Sequence, residues 1–247
     1  MITRAEPVMG TVVSFLVEPA DLGIERVESL LDAAAAELHR LDDQFSTWKP
    51  DSELSRLRRG EVATPSPLMR EVIERCEVAR DATAGYFDPW ALAGGFDPTG
   101  LVKGWAAERA LAVLVDGGVT EALVNAGGDI CVTPGSTYNV GVQHPSVRDA
   151  FCAVIRVDSA AATSGVYERG EHLTNPFGGE VAAVSATVVG GRLAEADAFA
   201  TALAVGGAAV LQLLERAPGL EGFFITSEGA LYRTSAMDLG SGGVTNA

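Results

Sequence analysis

Helical and strand patterns are partly segregated along this chain, and that segregation limits the folds open to it. Apolar residues recur at helical spacing from Ile24 to Leu41, and residues 67–82 show a second helical pattern. Strand-like stretches dominate the second half, at 121–133, 138–144, 151–159 and 181–189. Because strands and helices do not alternate strictly, we predict an α+β fold of antiparallel or mixed sheets with packed helices.

The remaining elements are shorter and fit the same fold class. They comprise a strand at 10–17, helices at 103–116, 194–205 and 208–215, and a terminal hairpin at 222–234 that turns at Glu228-Gly229. A length of 247 residues suits one large domain or two intimately associated subdomains. We predict a single functional domain over residues 1–247.

Composition restricts the partners of this protein. A formal net charge of −15 disfavours nucleic-acid binding, because a phosphate backbone must be neutralised by Lys and Arg. A phosphorylated small molecule would need a divalent cation, a helix N-terminus or a few placed basic groups. The N-terminus has no apolar signal core and no apolar run reaches membrane-spanning length, so we predict a cytoplasmic protein without a membrane partner.

The three cysteines, Cys76, Cys131 and Cys152, form no CxxC pair. Their odd number and wide spacing argue against a disulfide framework or a zinc site. We interpret all three as small core residues.

An aromatic-carboxylate-proline turn occurs twice within twelve residues, as Phe87-Asp88-Pro89 and Phe96-Asp97-Pro98. The second copy leads through Gly100 and Lys103 into a helix. Asp97 could bond sugar, ring or amide groups, Gly100 could turn its carbonyl inward, and Lys103 would favour an anion at the helix start. The alternative is ordinary turn chemistry followed by a solvated lysine.

Three later segments carry candidate groups. The glycines of Asn125–Asp129 could admit a ligand or mark a bulge. In residues 162–176, Thr163, Ser164 and Arg169 could hold phosphate oxygens, and His172 could take a proton or be a surface residue. Asp197 and Thr201 lie on one helical face, as a hard cation would require, or are ordinary polar helix residues.

These segments occur together and in a specific order, which resembles the ApbE family of FAD:protein FMN transferases. The resemblance covers nearly the whole chain. Its motifs are Met9-Gly10-Thr11, 46–54, 85–89, 97–103, 125–129, 163–165, 172–176 and 196–201.

The resemblance implies a Mg²⁺-dependent enzyme that moves FMN from FAD onto a threonine hydroxyl of an acceptor flavoprotein and releases AMP. It implies His172 as a candidate catalytic base. The implied FAD-binding residues are Met9, Trp48, Tyr86, Phe87, Asp88, Asp97, Lys103, Thr163, Ser164, His172 and Leu173. The implied metal ligands are the Gly100 carbonyl, Asp197 and Thr201.

The chain departs from the family pattern at three places. The family's Ser-Gly-Asp-Tyr is here Ser164-Gly165-Val166-Tyr167. The family's His-Ile-Ile-Asp-Pro-Arg-Thr-Gly is here "HLTNPFGG", with Asn175 and Phe177 in place of the aspartate and arginine. A long insert that separates the two aspartate turns in typical members is missing, which would bring Asp88 and Asp97 together. Two alternatives therefore stay open: a non-catalytic FAD-binding protein, and a metal-dependent pyrophosphatase that converts FAD to FMN and AMP.

Overall fold

The predicted elements occur in a computed structural model that describes residues 1–92, 94–147, 149–165 and 174–240. In these ranges the strands are β1 Ile2–Val8, β2 Thr11–Glu18, β3 Glu121–Ala126, β4 Asp129–Val132, β5 Tyr138–Gln143, β6 Phe151–Val157, β7 Ala160–Gly165, β8 Ser185–Gly190, β9 Leu220–Ile225 and β10 Leu231–Arg233. The α-helices are α1 Ile24–Phe45, α2 Glu53–Arg58, α3 Pro67–Ala82, α4 Thr99–Asp116, α5 Leu193–Gly206 and α6 Ala208–Leu214.

One large sheet organises the described chain. Its eight strands run in the order β1-β2-β3-β4-β7-β8-β9-β10, and every neighbouring pair is antiparallel. Strands β5 and β6 leave this order and form a separate antiparallel hairpin. The α+β prediction is confirmed, and in the described ranges the pairing is antiparallel rather than mixed.

Side-chain alternation along the central strands builds a core on each face of the sheet. Ala122 and Val124 of β3 join the larger core, which the helices complete. Leu123, between them, joins a smaller core with Ile155 of the β5–β6 hairpin. Both faces of the middle of the sheet are therefore buried, one under helices and the other under the hairpin. None of the helices in the described ranges combines the length and apolar character that crossing a bilayer would require.

Helices α4 and α5 pack closely on the sheet because small residues line their contact. Alanines occupy alternate positions of α5, including Ala196, Ala198 and Ala200, and all three are buried. In α4, a Cβ on Gly104 would lie 2.8 Å from the carbonyl oxygen of Leu193. The absence of a side chain at Gly104 therefore sets how near the two helices approach.

Aromatic contacts tie the first half of the chain to α4. Trp105 is fully buried and meets Phe45 of α1 edge-on, with ring centroids 5.4 Å apart. Its indole N–H donates to Glu71 of α3 at 3.0 Å. The tryptophan thus buries its ring and satisfies its polar nitrogen, and it fixes α1 and α3 around α4.

Several predicted boundaries were wrong, for physical reasons. Strand β1 was not predicted, because its alternation includes charged residues and a proline and it lies at the edge of the sheet. The strand predicted at 151–159 ends at Val157 as β6, and residues 158–159 form the bend before β7. Residues 160–165, for which no element was predicted, form β7, whose Ala-, Ser- and Gly-rich sequence has weak strand propensity and depends on its neighbours. Helix α4 begins at Thr99 rather than Lys103.

We expect Gly104→Ala to lower the free energy of unfolding, although alanine is the better helix former by about 1 kcal/mol. The new methyl group would press on the Leu193 backbone, and overpacking typically costs about 1–3 kcal/mol. Ala112→Gly, on the exposed side of the same helix, measures the effect of helix propensity on the free energy of unfolding without a change in packing. Urea unfolding measures both variants. A Gly104→Ala protein more stable than wild type would contradict the close contact.

Candidate functional site

Two tight turns lie together at one end of the large sheet. Met9 and Gly10 connect β1 to β2, and Gly127 and Gly128 connect β3 to β4; all four have positive φ, as a type I′ hairpin turn requires. Such φ values are uncommon for a residue with a side chain, so the hairpin geometry holds Met9 in a costly conformation. The β3–β4 turn is closed by a 2.8 Å hydrogen bond from the Gly128 N–H to the Asn125 side chain.

The first turn of α4 lies on the helix side of the sheet, and its shape follows from two residues. The Asp97 carboxylate accepts a 3.1 Å hydrogen bond from the Thr99 N–H and so satisfies one free donor of the helix start. Gly100 departs from helical geometry, with φ −81° and ψ 18°. The helix therefore has a kink at the residue whose carbonyl was predicted as a metal ligand.

The repeated aromatic-carboxylate-proline sequence produces a repeated structure. The Asp88 carboxylate accepts a 2.9 Å hydrogen bond from the Trp90 N–H, and the Asp97 carboxylate accepts one from the Thr99 N–H. Each aspartate therefore closes a turn with the residue two positions later in the chain. The two turns also bind each other, because the Asp97 N–H donates to the Pro89 carbonyl at 2.7 Å. The Trp90 and Phe96 rings lie 5.2 Å apart between them. The two turns are thus adjacent, as the missing insert predicts.

Each of these aspartates is also close to an arginine. Arg80 pairs with Asp88 at 3.0 Å, and an Arg58 nitrogen lies 3.7 Å from an Asp97 oxygen. Both carboxylates are mostly shielded from solvent, which strengthens these contacts relative to surface pairs. The arginines offset negative charge at the rim of the cavity that the two turns border.

That cavity brings together most of the residues predicted as FAD-binding or metal-binding, and we call it the main cavity. Its lining includes Tyr86, Phe87, Asp88, Asp97, Gly100, Lys103, Thr163, Ser164, Asp197 and Thr201. Pro89, Leu92, Thr99, Gly165 and Thr174 also line it and were not predicted as site residues. The sequence offered little signal for the latter set, since none of these five residues is ionisable or aromatic.

The proposed metal ligands lie at the contact of α4 with α5. Asp197 is only 3% exposed, and its carboxylate accepts a 3.2 Å hydrogen bond from the Gly104 N–H. A Cβ on Gly100 would lie 2.9 Å from the Thr201 hydroxyl oxygen, so the glycine keeps this space open. A carboxylate, a hydroxyl and a kinked-helix carbonyl are all oxygen donors, which fit a hard cation such as Mg²⁺.

This donor set is too small to enclose a cation by itself. The described part of the chain contains no group of three or more His, Cys, Asp or Glu side chains that could hold a metal. Mg²⁺ usually keeps waters and shares its coordination with substrate phosphates. The residues present therefore fit a cation bound jointly by the protein and a phosphorylated ligand.

Lys103 forms an ion pair that was not predicted. Its ammonium nitrogen lies 2.7 Å from a carboxylate oxygen of Asp129, whose side chain is fully buried. The other Asp129 oxygen accepts from the Thr163 N–H at 3.3 Å. Asp129 thus fixes the lysine between the helix start and β7. In the sequence, the role of Asp129 as the partner of Lys103 was indicated only by its position directly after Gly127-Gly128 and before apolar residues.

Thr163 and Ser164, both predicted to hold phosphate oxygens, differ in their contacts. The Ser164 hydroxyl shares a 3.2 Å hydrogen bond with Thr201 of α5. The Thr163 hydroxyl instead shares a 2.9 Å hydrogen bond with Thr187, its cross-strand partner on β8. Neighbouring residues of a strand point to opposite faces, so only Ser164 faces the helices.

Met9 and Trp48 lie in a second cavity next to the main one. The two cavities share Thr99 and Lys103 in their linings. Trp48 is 92% exposed, on the loop between α1 and α2. The structure therefore places these two predicted residues beside the main cavity rather than in its wall, and leaves the tryptophan ring open to solvent.

Asn175 and Phe177, the two altered residues of the "HLTNPFGG" loop, make contacts of their own. Asn175 accepts from the Phe177 N–H at 3.0 Å, so the amide closes the same kind of turn that an aspartate closes. The Phe177 ring meets the Tyr86 ring edge-on, with their centroids 5.0 Å apart. Arg169, His172 and Leu173 lie outside the described residues, so their predicted roles stay predictions.

Cys76 is a buried thiol whose pKa is affected by two carboxylates of the main cavity. Burial, and secondarily the Asp97 and Asp197 carboxylates, raises the pKa of the Cys76 thiol well above its ordinary value. It therefore stays protonated and is a poor nucleophile. All three cysteines are free and buried, which confirms their interpretation as core residues.

Comparison with known proteins agrees with this geometry. The ApbE family model matches residues 9–94 and 92–224, two stretches that meet in the loop between the aspartate turns. An FAD:protein FMN transferase of Klebsiella pneumoniae (strain 342) is 24% identical over 280 residues, covering 85% of this chain and 80% of the relative. That alignment is longer than this chain, so the relative has residues without a counterpart here.

Solved structures show the same fold. The ApbE protein of Thermotoga maritima superposes with a TM-score of 0.81 at 20% identity, over 95% of this chain and 97% of the other. The flavin transferase ApbE of Vibrio cholerae gives 0.76, also at 20% identity and with the same coverage. The family model matches most of the length of this chain, and most of the predicted site residues meet in one cavity. This chain therefore belongs to the ApbE family.

Proposed function

We propose that this protein is an FAD:protein FMN transferase that requires Mg²⁺ and modifies a threonine hydroxyl of an acceptor flavoprotein. The observation that carries the proposal is the main cavity, where residues from separate segments of the family pattern converge. Asp197, Thr201 and Gly100 are there with the Lys103–Asp129 pair and the two aspartate turns. The transferase relative described above supports the same activity.

The reaction exchanges one phosphorus–oxygen bond for another. The acceptor hydroxyl oxygen bonds to the phosphorus of the FMN half of FAD, and the bond from that phosphorus to the bridging oxygen breaks. AMP departs with the bridging oxygen, and the hydroxyl proton passes to a base. Such transfers depend mainly on positioning and on stabilising negative charge, which is what a cavity of fixed polar groups provides.

The residues of this chain would divide those tasks. Lys103, held by Asp129, can direct ammonium N–H groups at a phosphate, and the helix start beside it favours an anion. Ser164 offers a hydroxyl from the strand side. Asp197, Thr201 and the Gly100 carbonyl would hold Mg²⁺, which when bound neutralises charge on the pyrophosphate. His172 would take the hydroxyl proton, an assignment that rests on the resemblance.

The two alternatives share this cavity and differ in products. A pyrophosphatase would release FMN and AMP with water as the acceptor, and a non-catalytic protein would release neither. Incubation with FAD and Mg²⁺, with and without candidate acceptor flavoproteins, separates the three readings when AMP, free FMN and protein-bound flavin are measured individually. AMP formed in step with protein-bound flavin supports the transferase.

The dependence of FAD binding on Mg²⁺ should be lost in Asp197→Asn and Thr201→Ala. The asparagine keeps an acceptor for the Gly104 N–H but removes the charge that a cation needs. We expect Mg²⁺ to tighten FAD binding at least tenfold in wild type, about 1.4 kcal/mol, and to have little effect in either variant. Glu195→Ala, on the exposed side of α5, is the matched control. Calorimetry in which both variants respond to Mg²⁺ like wild type would refute the metal assignment.

Asp97→Ala should weaken FAD binding more than Asp116→Ala. Asp97 lines the main cavity at the start of α4, whereas Asp116 is exposed at the far end of that helix. Asp97→Asn removes the negative charge but keeps the turn, since its amide oxygen can still accept a hydrogen bond from the Thr99 N–H. Comparison with Asp97→Ala therefore distinguishes loss of charge from loss of the turn. FAD dissociation constants measured by fluorescence titration test the order. Equal values for the Asp97→Ala and Asp116→Ala proteins would count against the cavity as the FAD site.

His172→Ala should slow AMP release more than it weakens FAD binding. A general base acts mainly in the transition state and typically contributes about 10²- to 10⁴-fold to the rate. Single-turnover AMP release at saturating FAD and Mg²⁺, in the presence of an acceptor, measures the effect. His39→Ala, a surface histidine paired with Glu6, serves as the control. A wild-type rate in His172→Ala would remove this histidine from the mechanism.

A further inference from the structure

A second groove opens at the same end of the sheet, on the face that carries the β5–β6 hairpin. The turn residues Gly10 and Thr11, the β3–β4 turn and the hairpin strands form its walls. We call it the hairpin groove. The functions assigned so far to the main cavity make no use of it.

The hairpin groove is continuous with the proposed FAD site. Thr163 lines both the groove and the main cavity, and Gly10 lines both the groove and the cavity of Met9 and Trp48. The alternation along β7 explains this position, because Ser164 faces the helices while Thr163 faces the other side. A molecule in the groove would therefore reach the end of β7 from the side opposite to α4 and α5.

Four consecutive residues of β5, Val140 to Gln143, line the groove. A groove lying on one face of a strand would contact alternate residues, so this one follows the edge of β5. In the described chain β5 has one partner strand, β6, and the added bridge to Gly240 is made by Val154 of β6. The outer edge of β5 therefore presents backbone donors and acceptors, which an extended polypeptide can pair with.

The charge of the groove contrasts with that of the protein. The full chain carries 18 Lys and Arg and 33 Asp and Glu, yet none of the described residues that line the groove is ionisable. Phe151, which is 66% exposed, supplies an apolar wall, and Gln143 supplies an exposed amide. An uncharged segment would avoid desolvating a charge there, whereas a charged one would find no partner.

We propose that the hairpin groove binds the acceptor segment of the partner flavoprotein, as an extended, uncharged strand along β5. The threonine of that segment would enter the main cavity past Thr163, opposite the cation and lysine that hold the pyrophosphate. This inference rests on the proposed transferase function and names where its second substrate docks. It assigns the hairpin a role that the FAD site alone does not require.

The experiment uses the full-length protein, FAD, Mg²⁺ and a library of capped octapeptides with a central threonine and randomised flanks. Mass spectrometry identifies the peptides that acquire FMN, and AMP release and FAD dissociation constants are measured in parallel. The test variants are Phe151→Ala and Gln143→Glu. Their controls are Tyr232→Ala, a half-exposed aromatic on β10, and Gln212→Glu, an exposed amide on α6.

The proposal predicts FMN-bearing peptides enriched in uncharged flanks. It also predicts a fall of about tenfold in peptide labelling, or about 1.4 kcal/mol, in both test variants but in neither control, with FAD affinity unchanged. Labelling that favours charged flanks, or that is equal in all variants, would overturn the groove assignment and leave the transferase intact. Labelling of an intact acceptor flavoprotein without any labelled peptide would also overturn it, because an extended segment would then not be recognised. AMP and free FMN without any labelled peptide or protein would instead support the pyrophosphatase. No AMP with any acceptor would instead refute the proposed function itself.

Discussion

The site depends on one contact, the close approach of α4 to α5 at Gly104. The backbone of Leu193 fills the space that a side chain at residue 104 would need, and the Asp197 carboxylate accepts a hydrogen bond from the Gly104 N–H. The same carboxylate borders the main cavity with Thr201, one turn further along α5. The interaction that sets the helix spacing therefore also positions the oxygen atoms proposed to hold the cation.

An acidic protein that binds a pyrophosphate must supply positive charge locally. This chain does so with few groups rather than with a basic surface. Lys103 lies one turn after the start of α4 and is held by the buried carboxylate of Asp129, while Arg58 and Arg80 face the two aspartate turns. A bound cation would add the largest single charge. Because Lys103 and Asp129 are largely shielded from solvent, their charges act more strongly than they would on the surface, whereas the Arg80 side chain is about half exposed.

Strand β7 separates two substrates if both proposals hold. Its Ser164 side faces the helices and the pyrophosphate, and its Thr163 side faces the uncharged groove beside the hairpin. This arrangement would let FAD bind between helices and sheet while a polypeptide approaches from the opposite face.

The sequence by itself determined the fold class, the family and most of the residues that meet in the main cavity. Periodicity predicted the long helices because their apolar faces are continuous, and the ordered motifs predicted Asp88, Asp97, Asp197 and Thr201 together. The sequence also predicted that the two aspartate turns would be neighbours, and the hydrogen bond from the Asp97 N–H to the Pro89 carbonyl joins them.

Only the tertiary structure decided which groups act on one another across the sheet. The Lys103–Asp129 pair joins residues from a helix and a distant strand, and no local pattern marks such a pair before the chain folds. Strand β1 and the Ala-rich strand β7 form because neighbouring strands supply hydrogen-bond partners, which outweighs their weak intrinsic preference. Strand pairing brings separate segments into register, and this pairing places the Thr163 and Ser164 side chains on opposite faces of β7. It also forms the hairpin groove on the Thr163 face.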